Sequence, residues 1–260
     1  MMFEFLGQKI HYQKEGSGAP LVLLHGFLES LDMWDAFTQK WMQNYTVIRI
    51  DLPGHGKSER LPGTTVEQIA EVCEALLNHE GIPTASFVGH SLGGYVSLAF
   101  AERYPERMER LVLFHSSTYA DNHEGRLNRD RAIEILQNHP KLYIRQTLQG
   151  LFRPDTVQHF QVQLIGLIEQ AQQVDPKGYM DAVLAMKERP DRSHILASGL
   201  PVLFLAGTYD PVIPMDISRE QFELIQTGSG QTLLESGHMG FIEQPYTSWQ
   251  IITEFLQFQK

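Results

Sequence analysis

The pentapeptide Gly89-His90-Ser91-Leu92-Gly93, followed by Gly94, sets a serine between glycines that leave its hydroxyl room to act. A serine hydroxyl becomes a useful nucleophile only when a base takes its proton and a third group holds that base in the right tautomer. Two later residues suit those roles: Asp210 in Thr208-Tyr209-Asp210-Pro211, and His238 in Glu235-Ser236-Gly237-His238-Met239-Gly240. Such a set performs acyl transfer, with serine attacking, histidine moving the proton and aspartate steadying the imidazolium. Taken alone, the pentapeptide also fits a glycine-rich strand-to-helix turn whose serine merely caps the helix. Asp216 and Glu235 are rival acids. Asp216 reads as a helix-start residue after Pro214 and Glu235 lies near a strand end, so Asp210 ranks above both.

For these residues to meet, three loops must reach one edge of a sheet. A continuous apolar run of strand length occurs at residues 21–24, and 47–50, 85–88, 111–114 and 202–205 repeat that character. Runs apolar on both faces predict strands covered on both faces, hence a parallel sheet between helices. Helical patterns at 66–77 and 92–104 supply two of those helices. Residues 3–6 and 9–12 read as short strands joined by Gly7-Gln8, and 231–234 as the last strand. Ser91 then falls between a buried strand and an amphipathic helix, Asp210 after 202–205, and His238 after 231–234. All three lie beyond the carboxyl ends of strands, where open α/β sheets collect ligands. The turn is expected to strain Ser91, and Gly89 and Gly93 are expected because a Cβ at either place would strike backbone.

Between residues 116 and 197 the alternation of strand and helix stops. This stretch carries helical patterns at 131–138, 156–172 and 177–187, punctuated by Pro140, Pro154, Pro176 and Pro190. It reads as a helical lid inserted into an α/β core of residues 1–115 and 198–260.

Two further motifs complete a resemblance. His25-Gly26-Phe27 follows the run at 21–24, and Asp51-Leu52-Pro53-Gly54-His55-Gly56-Lys57-Ser58 follows that at 47–50. With the serine pentapeptide and the acid–histidine order, they make nearly the whole chain resemble the α/β-hydrolase fold superfamily, in its lidded branch of serine esterases and carbon–carbon-bond hydrolases. The resemblance implies an α/β-hydrolase sandwich, with a mostly parallel central sheet flanked by helices. It implies catalytic Ser91, Asp210 and His238, an oxyanion hole made by the backbone N–H groups of Phe27 and Leu92, and no metal or organic cofactor. Epoxide hydrolases and haloalkane dehalogenases of this fold carry Asp where this chain has Ser91, which argues against both. The expected activity is carboxylesterase-like hydrolysis of a small or medium acyl substrate. The fold leaves alternatives open: a carbon–carbon-bond hydrolase, a cofactor-free lyase, or a small-molecule binding protein with slow or no turnover.

Beside these segments, Trp34, Tyr95 and Met239 are expected to line the substrate pocket, with Phe27 and Phe241 nearby. Arg126, Arg129, Arg131, Arg145 and Arg153 lie in the 116–197 stretch, and any of them could meet a substrate carboxylate. A solvated helix face accounts for most of them, so no acid substrate is assigned. His25 and His90 are expected to pack or hydrogen-bond within their loops. The 51–58 loop reads as structural rather than metal-binding, since no second cluster supplies ligands.

Composition narrows the classes further. The 260 residues suit one domain, and 42% hydrophobic content supports a core. Lys+Arg 21 against Asp+Glu 31 gives a formal charge of -10, which disfavours nucleic acid and anionic membranes as partners. The single cysteine, Cys73, excludes an internal disulfide, and its helical spacing with Ile69, Val72 and Leu76 marks it as a small core residue. No run approaches the roughly 18 apolar residues of a membrane span. The opening Met1-Met2-Phe3-Glu4 lacks a secretory pattern, so a cytoplasmic protein is expected.

Overall fold

A computed structural model describes residues 1–257. Eight strands form one sheet in the order β1 (Met2–Phe5), β2 (Gln8–Glu15), β4 (Tyr45–Ile50), β3 (Ala19–Leu24), β5 (Ala85–His90), β6 (Met108–Phe114), β7 (Val202–Gly207) and β8 (Gly228–Leu233). β1 and β2 make an antiparallel hairpin, β2 runs antiparallel to β4, and the remaining pairs are parallel. Every residue of β5 and β7 is buried, so both faces of the sheet centre are covered, as their largely apolar strands require.

Helices α1 (Asp35–Trp41), α2 (Val66–His79) and α3 (Leu92–Arg103) follow β3, β4 and β5. Thr65 and Gln68 close a capping box at the start of α2, which fixes where that helix begins. Between β6 and β7 the chain forms α4 (His123–Asn138), α5 (Pro140–Gly150), α6 (Gln161–Ala171) and α7 (Pro176–Glu188), with no strand among them. α8 (Met215–Phe222) joins β7 to β8, and α9 (Gly240–Glu243) and α10 (Pro245–Gln257) end the described chain. The fold is the α/β-hydrolase architecture, a mostly parallel sheet flanked by helices.

Two local features differ from the sequence expectation. α3 is not amphipathic: Leu92 through Ala101 are all buried, because the helix packs on β3, β5 and β6 and is itself covered by α2. Pro140 punctuates the segment as expected, following the end of α4 and opening α5 at the first position, where a missing N–H costs nothing. β8 starts at Gly228, three residues before the apolar signal. Gly228 has φ +124 and its backbone lies so close to Val202 that any Cβ would overlap, and Gly230 is pressed by the Phe222 ring. Glycine at these close approaches removes the apolar signature from the strand.

Cys73 is buried, and burial pushes its thiol up to about 12, so it behaves as a core side chain. Among the described residues no helix is long and apolar enough to cross a membrane.

Candidate active site

Ser91 occupies the turn between β5 and α3 with φ 48 and ψ -111, a conformation that non-glycine residues rarely adopt. Backbone bonds over-determine it. Ser91 N–H donates to the Phe114 carbonyl at 3.0 Å, and its own carbonyl accepts from Gly94 N–H at 2.9 Å and Ser116 Oγ at 2.9 Å. A Cβ on Gly89 would overlap the Gly93 carbonyl, and one on Gly93 would overlap that of Leu24, so both glycines are required by contact. Although Ser91 stands at the N-cap of α3, its hydroxyl makes no capping bond. The simple N-cap reading of the pentapeptide therefore fails.

Asp210 lies in the turn after β7 and His238 in the loop after β8. His238 Nδ1 sits 2.8 Å from Asp210 Oδ2 and 3.0 Å from Oδ1. Asp210 also accepts from Val212 N–H at 2.9 Å, Ile213 N–H at 3.0 Å, and His115 Nδ1 at 3.0 Å. Burial alone would raise this carboxyl, but the neighbouring His238 and the hydrogen bonds from both histidines outweigh it and hold it well below the usual range. With Asp210 ionised, both imidazoles carry their proton on Nδ1, which leaves Nε2 of His238 free to accept one. His115, at the end of β6, sits at 1% exposure, and burial lowers it to about 4, so it is a neutral second donor to Asp210. Sequence reasoning passed over His115; its place one residue beyond an apolar strand, on the sheet edge that carries Ser91, was the available signal.

A second buried pair stands beside this one. Glu29 Oε2 accepts from Gly26 N–H at 2.6 Å and lies 3.0 Å from His90 Nδ1. His90 Nε2 lies 2.9 Å from the His238 carbonyl. Both ring nitrogens of His90 thus face acceptors, which only the imidazolium satisfies. Burial would lower His90, but the Glu29 charge and hydrogen bond outweigh it and raise it. The same attraction overcomes the burial that would raise Glu29 and lowers it instead. His90 therefore reaches beyond its own loop, tying the segment after β3 to the backbone of His238. Gly26 has no side chain because a Cβ would stand 2.6 Å from His90 Nδ1. His25 bonds the Gly26 carbonyl at 2.7 Å within its loop, but it also accepts from Leu52 N–H at 2.9 Å and so, like His90, reaches a second loop.

Ser91 and His238 line one cavity of about 100 Å³, with Phe27, Tyr95 and Glu29 from the sheet side and Arg129, Tyr143, Leu151 and Met186 from the α4–α7 segment. Of the side chains expected along the pocket, Tyr95 is there. Trp34 and Met239 are not among the lining residues. Trp34 is wholly buried against Phe37 and Phe114, and Met239 is wholly buried at the start of α9. Asp216 bonds the N–H of Ile217 in α8, and Glu235 pairs with Arg153 at the surface, so neither competes for His238. Asp51 accepts from Leu31 N–H at 2.8 Å and Lys57 N–H at 2.9 Å and faces His11 at 2.7 Å, which makes the 51–58 loop a hydrogen-bonded brace. Among the described residues, His115, Asp210 and His238 alone group their ligand atoms closely enough for a metal ion. Those atoms are already one another's hydrogen-bond partners, so an ion would have to break these bonds to enter.

The family described as alpha/beta hydrolase fold matches residues 19–245, and the chain belongs to it. It is 34% identical over 160 residues to the dihydrolipoyllysine-residue acetyltransferase component of the acetoin cleaving system of Cupriavidus necator, covering 56% of this chain and 43% of that one. The chain thus spans less than half the length of that relative. It is 27% identical to a 2-hydroxy-6-oxononadienedioate/2-hydroxy-6-oxononatrienedioate hydrolase of Burkholderia vietnamiensis, over 96% of this chain and 91% of the other. Among solved structures, a thermophilic esterase from Thermogutta terrifontis, with malate bound, superposes with a TM-score of 0.91 at 29% identity, covering 98% of this chain and 96% of that one.

Proposed function

We propose that the protein is a serine hydrolase that cleaves a small or medium acyl substrate through an acyl-enzyme, with Ser91 as nucleophile, His238 as base and Asp210 as its orienting acid. The observation that carries this reading is that Ser91, its backbone strained and its hydroxyl unbonded, lines one cavity with His238, which Asp210 locks into the tautomer a general base needs. In the first step the Ser91 oxygen attacks the carbonyl carbon while His238 Nε2 takes its proton. The backbone N–H groups of Phe27 and Leu92 hold the developing oxyanion, a contribution of about 3 kcal/mol for each donor. His238 then protonates the leaving alcohol, and a water activated by the same imidazole releases the acid.

The Glu29–His90 pair supports the arrangement by fixing Gly26, next to the Phe27 donor, against the loop that carries His238. Five residues from α4, α5, α7 and the turn after α5 wall the cavity, which supports a lid formed by residues 116–197. The small volume favours a short acyl chain. A second reading, hydrolysis of a carbon–carbon bond in a keto-acid, draws on the Burkholderia relative. Steady-state hydrolysis of p-nitrophenyl acetate and butyrate tests the main reading. Turnover by the wild type that Ser91→Ala and His238→Ala both abolish is the expected result. Near wild-type rates in either variant would overturn it, and turnover of a vinylogous 1,5-diketone with no ester turnover would favour the second reading.

A further inference from the structure

Arg129 differs from the other arginines of its segment. Arg126 pairs with Glu188, Arg153 with Asp155 and Glu235, and Arg131 and Arg145 are exposed. Arg129, on α4, turns inward to the wall of the Ser91 cavity and also borders an adjoining cavity of about 300 Å³, where it is joined by Tyr95 and Val212. Its Nε donates to Asp121 Oδ2 at 2.9 Å. Among the described residues no group accepts from its Nη1 or Nη2.

The charges around it do not balance. Asp121 is shared: its Oδ1 pairs with Arg189 Nη1 at 2.7 Å. Burial would raise Asp121, but the two guanidinium charges outweigh it, so the carboxylate is ionised and one negative charge faces two positive ones. Arg189 is spent on structure, donating to the carbonyls of Met186 at 2.6 Å and Tyr119 at 2.9 Å and stacking 4.0 Å over the Tyr95 ring. The remaining groups facing Arg129 from α3, α5 and the turn after β7 are Tyr95, Tyr143, Thr147 and Val212, all uncharged. The other carboxylate lining the cavity, Glu29, is charge-paired with His90 and held through Oε2 by His90 and Gly26 N–H, while its Oε1 is buried without a partner. A guanidinium with a free fork in a partly dry cavity is a carboxylate site, because two parallel charge-assisted bonds fit its geometry.

We infer that the substrate carries a second carboxylate, bound by Arg129, so that the preferred class is the half ester of a short dicarboxylic acid. The inference rests on the acyl-transfer reading of Ser91. In the reaction the acyl C–O bond breaks, the alcohol leaves with the proton carried by His238, and water supplies the oxygen of the second product carboxylate. Arg129 touches only the carboxylate already present, so it sets specificity and takes no part in bond breaking.

The test compares monoethyl glutarate with ethyl valerate, which replaces the carboxylate by a methyl group, in a pH-stat assay of wild type, Arg129→Gln and Arg129→Lys. The wild type is expected to favour the anionic ester in kcat/KM by about 10- to 100-fold, the range of a charged hydrogen-bond pair. Arg129→Gln should bring the ratio close to one, mainly through KM, and Arg129→Lys should restore part of it. Calorimetric binding of glutarate to the wild type and to Arg129→Gln separates this inference from the catalytic one. Binding that depends on Arg129 without turnover of either ester would keep the anion site and remove the esterase reading. A wild-type ratio near one, a ratio unchanged in Arg129→Gln, or equal glutarate binding by both proteins would overturn the inference.

Discussion

Asp210→Asn separates orientation of the base from mere occupancy of its position. Oδ1 of Asp210 accepts two backbone N–H groups, those of Val212 and Ile213, whose protons cannot move. Oδ2 faces only Nδ1 atoms, those of His115 and His238. The asparagine amide nitrogen must therefore replace Oδ2 and faces both Nδ1 atoms as a donor, which drives each imidazole to move its proton from Nδ1 to Nε2 and leaves His238 only its longer 3.0 Å approach to Oδ1 as an alternative acceptor. His238 then presents a donor to Ser91 and no longer takes its proton, which lowers kcat by on the order of 10⁴-fold. His115 acquires a proton on Nε2, an atom that is buried without a partner, at a cost of about 1–3 kcal/mol. At this chain length that lowers Tm by roughly 2–10 °C. The assay pairs p-nitrophenyl acetate kinetics with thermal melts followed by circular dichroism. A folded Asp210→Asn protein with kcat within tenfold of wild type would refute the reasoning. Glu235→Gln and Asp216→Asn, the rival acids, should stay within twofold.

Two further outcomes follow from the same contacts. His115 is neutral in the fold down to about pH 4, whereas the unfolded chain protonates it near the ordinary imidazole value of 6.5. The unfolded state therefore binds more protons between those values, and stability falls as pH drops through that window, by up to about 3 kcal/mol. Urea midpoints at pH 7 and pH 4.5 read this slope, and His115→Asn, which keeps a donor toward Asp210 but does not titrate, should flatten it; an unchanged slope would count against a neutral His115. Gly89→Ala should destabilise by at least about 3 kcal/mol, since its Cβ meets the backbone of Gly93 and Gly94 rather than a movable side chain. A Tm within 2 °C of wild type, by the same melts, would show that the turn relaxes freely.

Much of this arrangement was legible because it follows chain order. The strand before Ser91, the turn after β7 and the loop after β8 are each marked by an apolar run followed by a chemically distinctive residue. What the sequence concealed depends on contacts between distant segments. Glu29 and His90 are 61 positions apart, and nothing local in either loop announces the pair. His115 read as the residue after a strand, and its role appears only when β6 and β7 lie side by side. Trp34 and Met239 adjoin the catalytic segments in sequence, yet packing turns both into the core, because adjacency along a loop does not fix which way a side chain faces. β8 was misplaced at its start for a steric reason, the glycines that let β7 and α8 approach. The five arginines looked alike until burial and partners set Arg129 apart.

Intact-mass analysis after exposure to a fluorophosphonate tests most directly whether Ser91 is an activated nucleophile. One covalent adduct on the wild-type protein, mapped to Ser91 and absent from Ser91→Ala, is the predicted result. A folded wild-type protein that takes no adduct, or takes it equally in Ser91→Ala, would contradict the assignment of the nucleophile.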